Sequence, residues 1–188
     1  MFIAAEAQIE RGRILASGSL SFNISNYRDI EDGVTESESK STDLWLKPRA
    51  GIFITDALLV GAGIGLAVGS TTYGDEDKYT TSSISVIPFV RYYLPQRFFG
   101  QLELGPGIST DNWEYSGSDD KDKYSFFIWS IGAGYSYFLN DNVSVEPIVS
   151  YTSTSYTDRN NTNQKDKYGD FGLQIGLSIY LDCQKSGL

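Results

Sequence analysis

The stretch "LLVGAGIGLAVGS" (58–70) fits two incompatible structures. Gly61, Gly65 and Gly69 recur every fourth residue, the spacing of a close-packing membrane helix. The same run also alternates without a break. Leu58, Val60, Ala62, Ile64, Leu66 and Val68 share one parity, and Leu59, Gly61, Gly63, Gly65, Ala67 and Gly69 share the other. The apolar run ends at Val68, well short of the roughly 20 residues that a membrane helix needs. Each interior glycine would also cost a helix about 1 kcal/mol. A strand fits these residues and a helix does not.

Seven further stretches alternate in the same way: 14–25, 44–55, 84–94, 101–109, 127–139, 143–152 and 171–181. Three connections are tight and have turn chemistry: Thr55-Asp56-Ala57, Pro95-Gln96-Arg97 and Asn140-Asp141-Asn142. Four are long and polar, at about 28–42, 70–80, 110–124 and 158–168. Short and long alternate along the chain. An up-and-down barrel would therefore collect every tight turn at one end and every long loop at the other. The pattern predicts an all-β fold, an eight-stranded antiparallel up-and-down transmembrane β-barrel.

Gly61, Gly63, Gly65, Gly105, Gly107, Gly132, Gly134, Gly172 and Gly176 all lie opposite the large aliphatic residues. The interior of an eight-stranded barrel is just wide enough for side chains, so small residues there make room for longer polar ones. A soluble, lipocalin-like binding barrel would alternate equally well with its apolar face inward. Three features favour the membrane form. Lys47, Arg49, Arg91, Glu103 and Glu146 sit deep within strands, where opposite charges can pair. The apolar face stays nearly free of charge for about the length a tilted membrane strand needs. Aromatic residues gather near strand ends: Tyr73, Tyr79, Trp113, Tyr115, Tyr124, Tyr156 and Tyr168 by the long loops, and Tyr92, Phe98, Tyr137 and Phe138 by the tight turns. That distribution suggests two interfacial girdles.

With 188 residues the chain is one barrel domain, expected over 8–182, and its net charge of −9 argues against a nucleic-acid partner. Most of the negative charge lies in the long connections. A mean hydropathy of −0.25 is compatible with membrane strands, whose alternation averages out. Cys183 is the only cysteine and histidine is absent, which removes disulfides, the commonest metal ligand and any Ser-His or Cys-His pair. "DEDK" (75–78) and "SDDKDK" (118–123) lack the ligand spacing of a calcium loop, so they read as solvated tips and no cofactor or metal is expected. Glu103 and Glu146 share a face with Lys47, Arg49 and Arg91, so they read as ion-pair partners rather than an acid and base, and no enzyme is expected. Ala5-Glu6-Ala7 has the small-x-small form of a signal cleavage site, so 1–7 is read as a signal-peptide remnant or a disordered N-terminus. Residues 183–188 form a tail.

"AQIERGRILASGSLSF" (7–22) and "QIGLSIYL" (174–181) resemble the first and last strands of the small eight-stranded outer-membrane β-barrel proteins of Gram-negative bacteria, the porin-like outer-membrane β-barrel domain. The resemblance runs from about Gly12 to Leu181. Gln174, Gly176, Ile179 and Leu181 fill the family's assembly signal. It implies insertion by the barrel-assembly machinery into the bacterial outer membrane, with lipid and lipopolysaccharide as neighbours, as a monomer. Family members usually end on an aromatic residue, whereas "DCQKSGL" (182–188) follows here. Members that remodel lipid A rely on histidine, which this chain lacks. Three roles remain open. The first is a structural or surface-interaction barrel with long extracellular loops and a polar, largely packed lumen of Lys47, Arg49, Arg91, Glu103, Glu146 and Gln174. The second is a narrow channel for small or apolar solutes. The third is a soluble ligand-binding barrel.

Overall fold

The computed structural model describes residues 9–31, 34–73, 77–115, 118–159 and 165–182. The expected segments 1–7 and 183–188 lie outside the described residues. The strands are β1 (Ile14–Glu31), β2 (Val34–Phe53), β3 (Leu58–Tyr73), β4 (Asp77–Tyr93), β5 (Phe98–Tyr115), β6 (Ser118–Tyr135), β7 (Tyr137–Phe138), β8 (Val143–Asp158) and β9 (Lys165–Leu181). Ser136 interrupts one stave of the barrel, so β6 and β7 count as a single strand. All pairings are antiparallel between chain neighbours, and β1 meets β9 to close the cylinder. Among the described residues no helix is long and apolar enough to cross a membrane.

Period-2 chemistry sets the faces. Leu20, Phe22, Ile64, Val86, Leu104, Ile131, Val149 and Ile175 are exposed on the outside, while Arg49, Arg91, Glu103, Glu146 and several serines are buried inside. This inverts the soluble barrel and leaves the apolar band to lipid, so the lipocalin-like alternative falls. Inside, missing Cβ atoms make room for neighbours. A Cβ on Gly61 would lie 2.7 Å from the Phe89 ring, and one on Gly63 would lie 2.8 Å from Arg49 Cγ. One on Gly107 would enter the Phe126 ring, and one on Gly134 the Phe99 ring. Gly172 departs from this reading, because nothing lies within 4 Å of its Cβ position.

The three tight turns share one end. Thr55 Oγ1 accepts from the backbone N–H groups of Ala57 and Leu58, at 3.2 and 2.9 Å. Asn140 Oδ1 accepts from those of Asn142 and Val143, both at 2.9 Å. In the Pro95–Arg97 turn, Gln96 and Arg97 hold φ of 68° and 72°, a left-handed pair without glycine.

The other end differs from expectation. The segments expected as long loops are largely strand: the β3–β4 ladder continues to Tyr73 and Asp77, and the β5–β6 ladder to Tyr115 and Ser118. Serine and threonine keep the alternation going after the apolar residues stop, so the wall rises past the lipid band as hairpins. The closing seam is incomplete. β1 pairs with β9 only from Ile14 to Gly18, against Leu181 to Leu177. Above that, β1 pairs with β2 alone and β9 with β8 alone. Phe171 and Leu173 on this free edge are 83% and 72% exposed.

Candidate functional site

The lumen is filled in layers. At the tight-turn end Leu15, Phe53, Leu59, Phe89, Tyr93, Phe99, Ile148 and Tyr180 form an apolar plug. Phe53 lies 5.4 Å from Tyr93 and 6.1 Å from Tyr180, centroid to centroid. Phe138 packs on Tyr180 at 5.0 Å, so it belongs to this plug and not to an outer girdle.

Above the plug lies a polar network. Arg91 Nη1 donates to Glu146 Oε2 at 2.7 Å and to the Tyr93 hydroxyl at 3.0 Å, and its guanidinium sits 3.9 Å over the Phe99 ring. Glu146 Oε1 also accepts from Ser136, Tyr180 and Ser144 at 2.8, 2.9 and 3.0 Å. Arg91 Nε donates to Gln101 Oε1 at 2.6 Å, and Gln101 Nε2 donates to Glu103 Oε1 at 2.6 Å. Glu103 in turn pairs with Arg49 and, at 3.4 Å, with Lys47. Lys47, Arg49, Arg91, Glu103 and Glu146 thus meet in one chain of contacts. Gln174 faces the same lumen and borders a cavity beside Arg49. Of the assembly-signal positions, Gly176 is buried inside, and Ile179 and Leu181 are exposed outside.

Sequence reasoning missed Gln101, the link between the two ion-pair groups, together with Tyr93, Ser136, Ser144 and Tyr180. The signal was available: Gln101 stands two residues before Glu103, on the same face.

The long-loop end corrects the second girdle. Tyr73, Tyr79, Trp113, Tyr124, Tyr156 and Tyr168 all have the inward parity of their strands. They touch one another along the rim of the mouth: Tyr79–Trp113 at 4.4 Å, Tyr73–Trp113 at 6.3 Å and Tyr156–Tyr168 at 5.9 Å. The side chain of Tyr115 lies outside the described residues. Aromatics that do face outward at this level are Phe127, Trp129, Tyr151 and Phe171, with Trp129–Tyr151 at 5.6 Å and Tyr151–Phe171 at 5.0 Å.

Charge in this rim is sorted by the same parity. Among the described residues above the apolar band, Asp43, Asp77, Asp111, Asp122, Asp158, Asp166 and Asp170 occupy inward positions. Lys40, Lys78, Lys121, Lys123, Lys165 and Lys167 occupy outward ones, and so does the acidic Glu114. The mouth's phenols respond to this field. Burial, then the Asp111 carboxylate, push the Tyr79 phenol above the usual tyrosine range, and burial with Asp122 and Asp111 does the same to Tyr124.

A closed cylinder, an apolar outside and a charged inside are the marks of a barrel built for lipid. A family model described as the outer membrane protein β-barrel domain matches residues 1–180. The chain belongs to this outer-membrane β-barrel family. As a member of it, the protein resides in the bacterial outer membrane. A search of curated proteins gives no match. Among solved structures, this outer-membrane barrel is similar to Ail, the attachment invasion locus protein of Yersinia pestis. The TM-score is 0.57 at 9% identity, covering 91% of this chain and 99% of that one. It is also similar to the translocator domain of the autotransporter NalP from Neisseria meningitidis. There the TM-score is 0.50 at 13% identity, covering 89% of this chain and 62% of that one. These likenesses concern the fold.

Proposed function

We propose that this outer-membrane barrel works at its outer surface and not through its lumen or by catalysis. The observation that carries this reading is the stacked filling of the lumen, an aromatic plug beneath a continuous ion-pair network. Glu146 is engaged by Arg91 and three hydroxyls, and Glu103 by Lys47, Arg49 and the Gln101 amide, so neither carboxylate is free to act as an acid or base. The rim supports an interaction role: lysines face the surrounding lipopolysaccharide, and an acidic, aromatic mouth faces the exterior. We assign Gln174, Gly176, Ile179 and Leu181 to recognition by the assembly machinery, and the working unit to a monomer. Planar-bilayer recording of the refolded protein tests the closed lumen. No steady conductance is expected. A steady conductance that changes on Arg91→Met or Glu103→Gln would overturn it.

The seam favours a second reading, lateral passage of apolar solutes from the mouth into the bilayer. The register extended past Gly18 would pair Leu20 with Ile175, Phe22 with Leu173 and Ile24 with Phe171, so the same edges suit a closed state. A disulfide between Asn23→Cys and Gly172→Cys, in a Cys183→Ser background, would lock it. This reading requires uptake of an apolar dye into the bilayer to fall on oxidation and recover on reduction. Uptake indifferent to oxidation sinks it.

A further inference from the structure

The spanning part of the lumen holds a charge imbalance. Lys47, Arg49 and Arg91 face only Glu103 and Glu146 among the described residues, three cations against two carboxylates. A surplus charge in a low-dielectric interior is costly unless it is paired. Both carboxylates are already shared among several donors.

Arg91 Nη2 and Arg49 Nε both lack a hydrogen-bond partner, and the Arg49 side chain is 5% exposed. A cavity of about 10 Å³ lies beside it, bordered also by Gln101, Glu103, Ser130, Ser150 and Gln174. Apart from Glu103, whose oxygens are turned onto Lys47, Arg49 and Gln101, these polar groups can all donate. Ser130 already accepts from Thr152 Oγ1 at 3.1 Å, which frees its own hydroxyl hydrogen for another acceptor. The volume suits one particle about the size of a water molecule. It is too small for phosphate, sulfate or a carboxylate ligand. Water would satisfy the donors and leave the charge. A halide would do both.

We infer that this cavity is a binding site for a single small monovalent anion, chloride in ordinary media, held by Arg49 with the hydroxyl of Ser130 and its neighbours. The anion would act as the missing third counter-charge and knit the β2, β5, β6 and β9 walls together from within.

The first test is anomalous diffraction from crystals of the native protein grown in bromide. One bromide peak between Arg49 and Ser130 is expected. The second is the temperature at which the gel mobility of the folded barrel shifts to that of the unfolded chain, compared in sodium chloride and sodium gluconate at equal ionic strength. In the native protein it should rise with chloride and saturate, as for a ligand bound only to the folded state. The rise should vanish in Lys47→Met, which removes the surplus charge, and in Ser130→Asp, which brings a carboxylate to the cavity. Absence of a bromide peak from the cavity would overturn the site. Water would then fill it.

Discussion

Glu146 is the most heavily engaged group in the lumen, accepting from Arg91, Ser136, Ser144 and Tyr180. Arg91 is fully buried, so it depends on that carboxylate. Glu146→Ala should destabilise the barrel by about 3–5 kcal/mol, the cost of stranding a buried charge. Arg91→Met with Glu146→Leu should recover most of that loss. Urea unfolding of the three proteins in detergent, followed by tryptophan fluorescence, checks both values. At the mouth, Tyr79 lies outside the lipid band and its phenol titrates above the usual tyrosine range, chiefly because it is buried and next because of Asp111. The folded state therefore prefers the protonated ring. That contribution is present in full below the ordinary tyrosine value and is lost as pH rises from there through the folded value. Spectrophotometric titration should show a late-ionising phenol that disappears in Tyr79→Phe. Asp111→Asn should bring it down part of the way, since burial remains.

Turns and strands were unequally legible. The turn end could be read from Thr55, Pro95 and Asn140, because each acts on backbone within three residues of itself. Gln96 and Arg97 gave no warning of their left-handed backbone, since neither residue favours it. Asparagine tolerates that region better, so Gln96→Asn should stabilise by up to about 1 kcal/mol, the low end of the left-handed penalty, measurable as a higher urea midpoint. The upper strands were under-read for a different reason. Apolar alternation ceases near Val68 and Ile84, but the hydrogen-bond ladder needs only alternating backbone and runs on to Tyr73 and Asp77. A stretch that reads as loop carries no parity, so Tyr79 and Trp113 read as part of an interfacial girdle, whereas they pack on each other at inward positions. The inner charges were easier. Lys47, Arg49, Arg91, Glu103 and Glu146 lie within stretches whose faces were already clear. The partners of each, and the bridge through Gln101, depend on the stagger between strands, which no single strand's sequence contains.

Across the molecule, radial sorting of charge sets what each surface can meet. We propose that the outer lysines, which stand above the apolar band, meet the phosphates of lipopolysaccharide. Lys78, Lys121 and Lys123 replaced together by glutamine should weaken lipopolysaccharide binding to the detergent-solubilised barrel and flatten its salt dependence. Unchanged binding in a titration would remove the lysines from that role. The partial seam carries a different consequence, for how the barrel comes into being. Every hairpin joins neighbours in the chain and can zip locally. The seam joins ends: Arg13 reaches the Tyr180 carbonyl, 167 residues away. Closing so large a loop carries the greatest entropic cost and has the fewest backbone bonds to offset it. Folding should therefore proceed as a curling sheet, fast along its length and slow at its edge. The first strand to be made is completed only by the last.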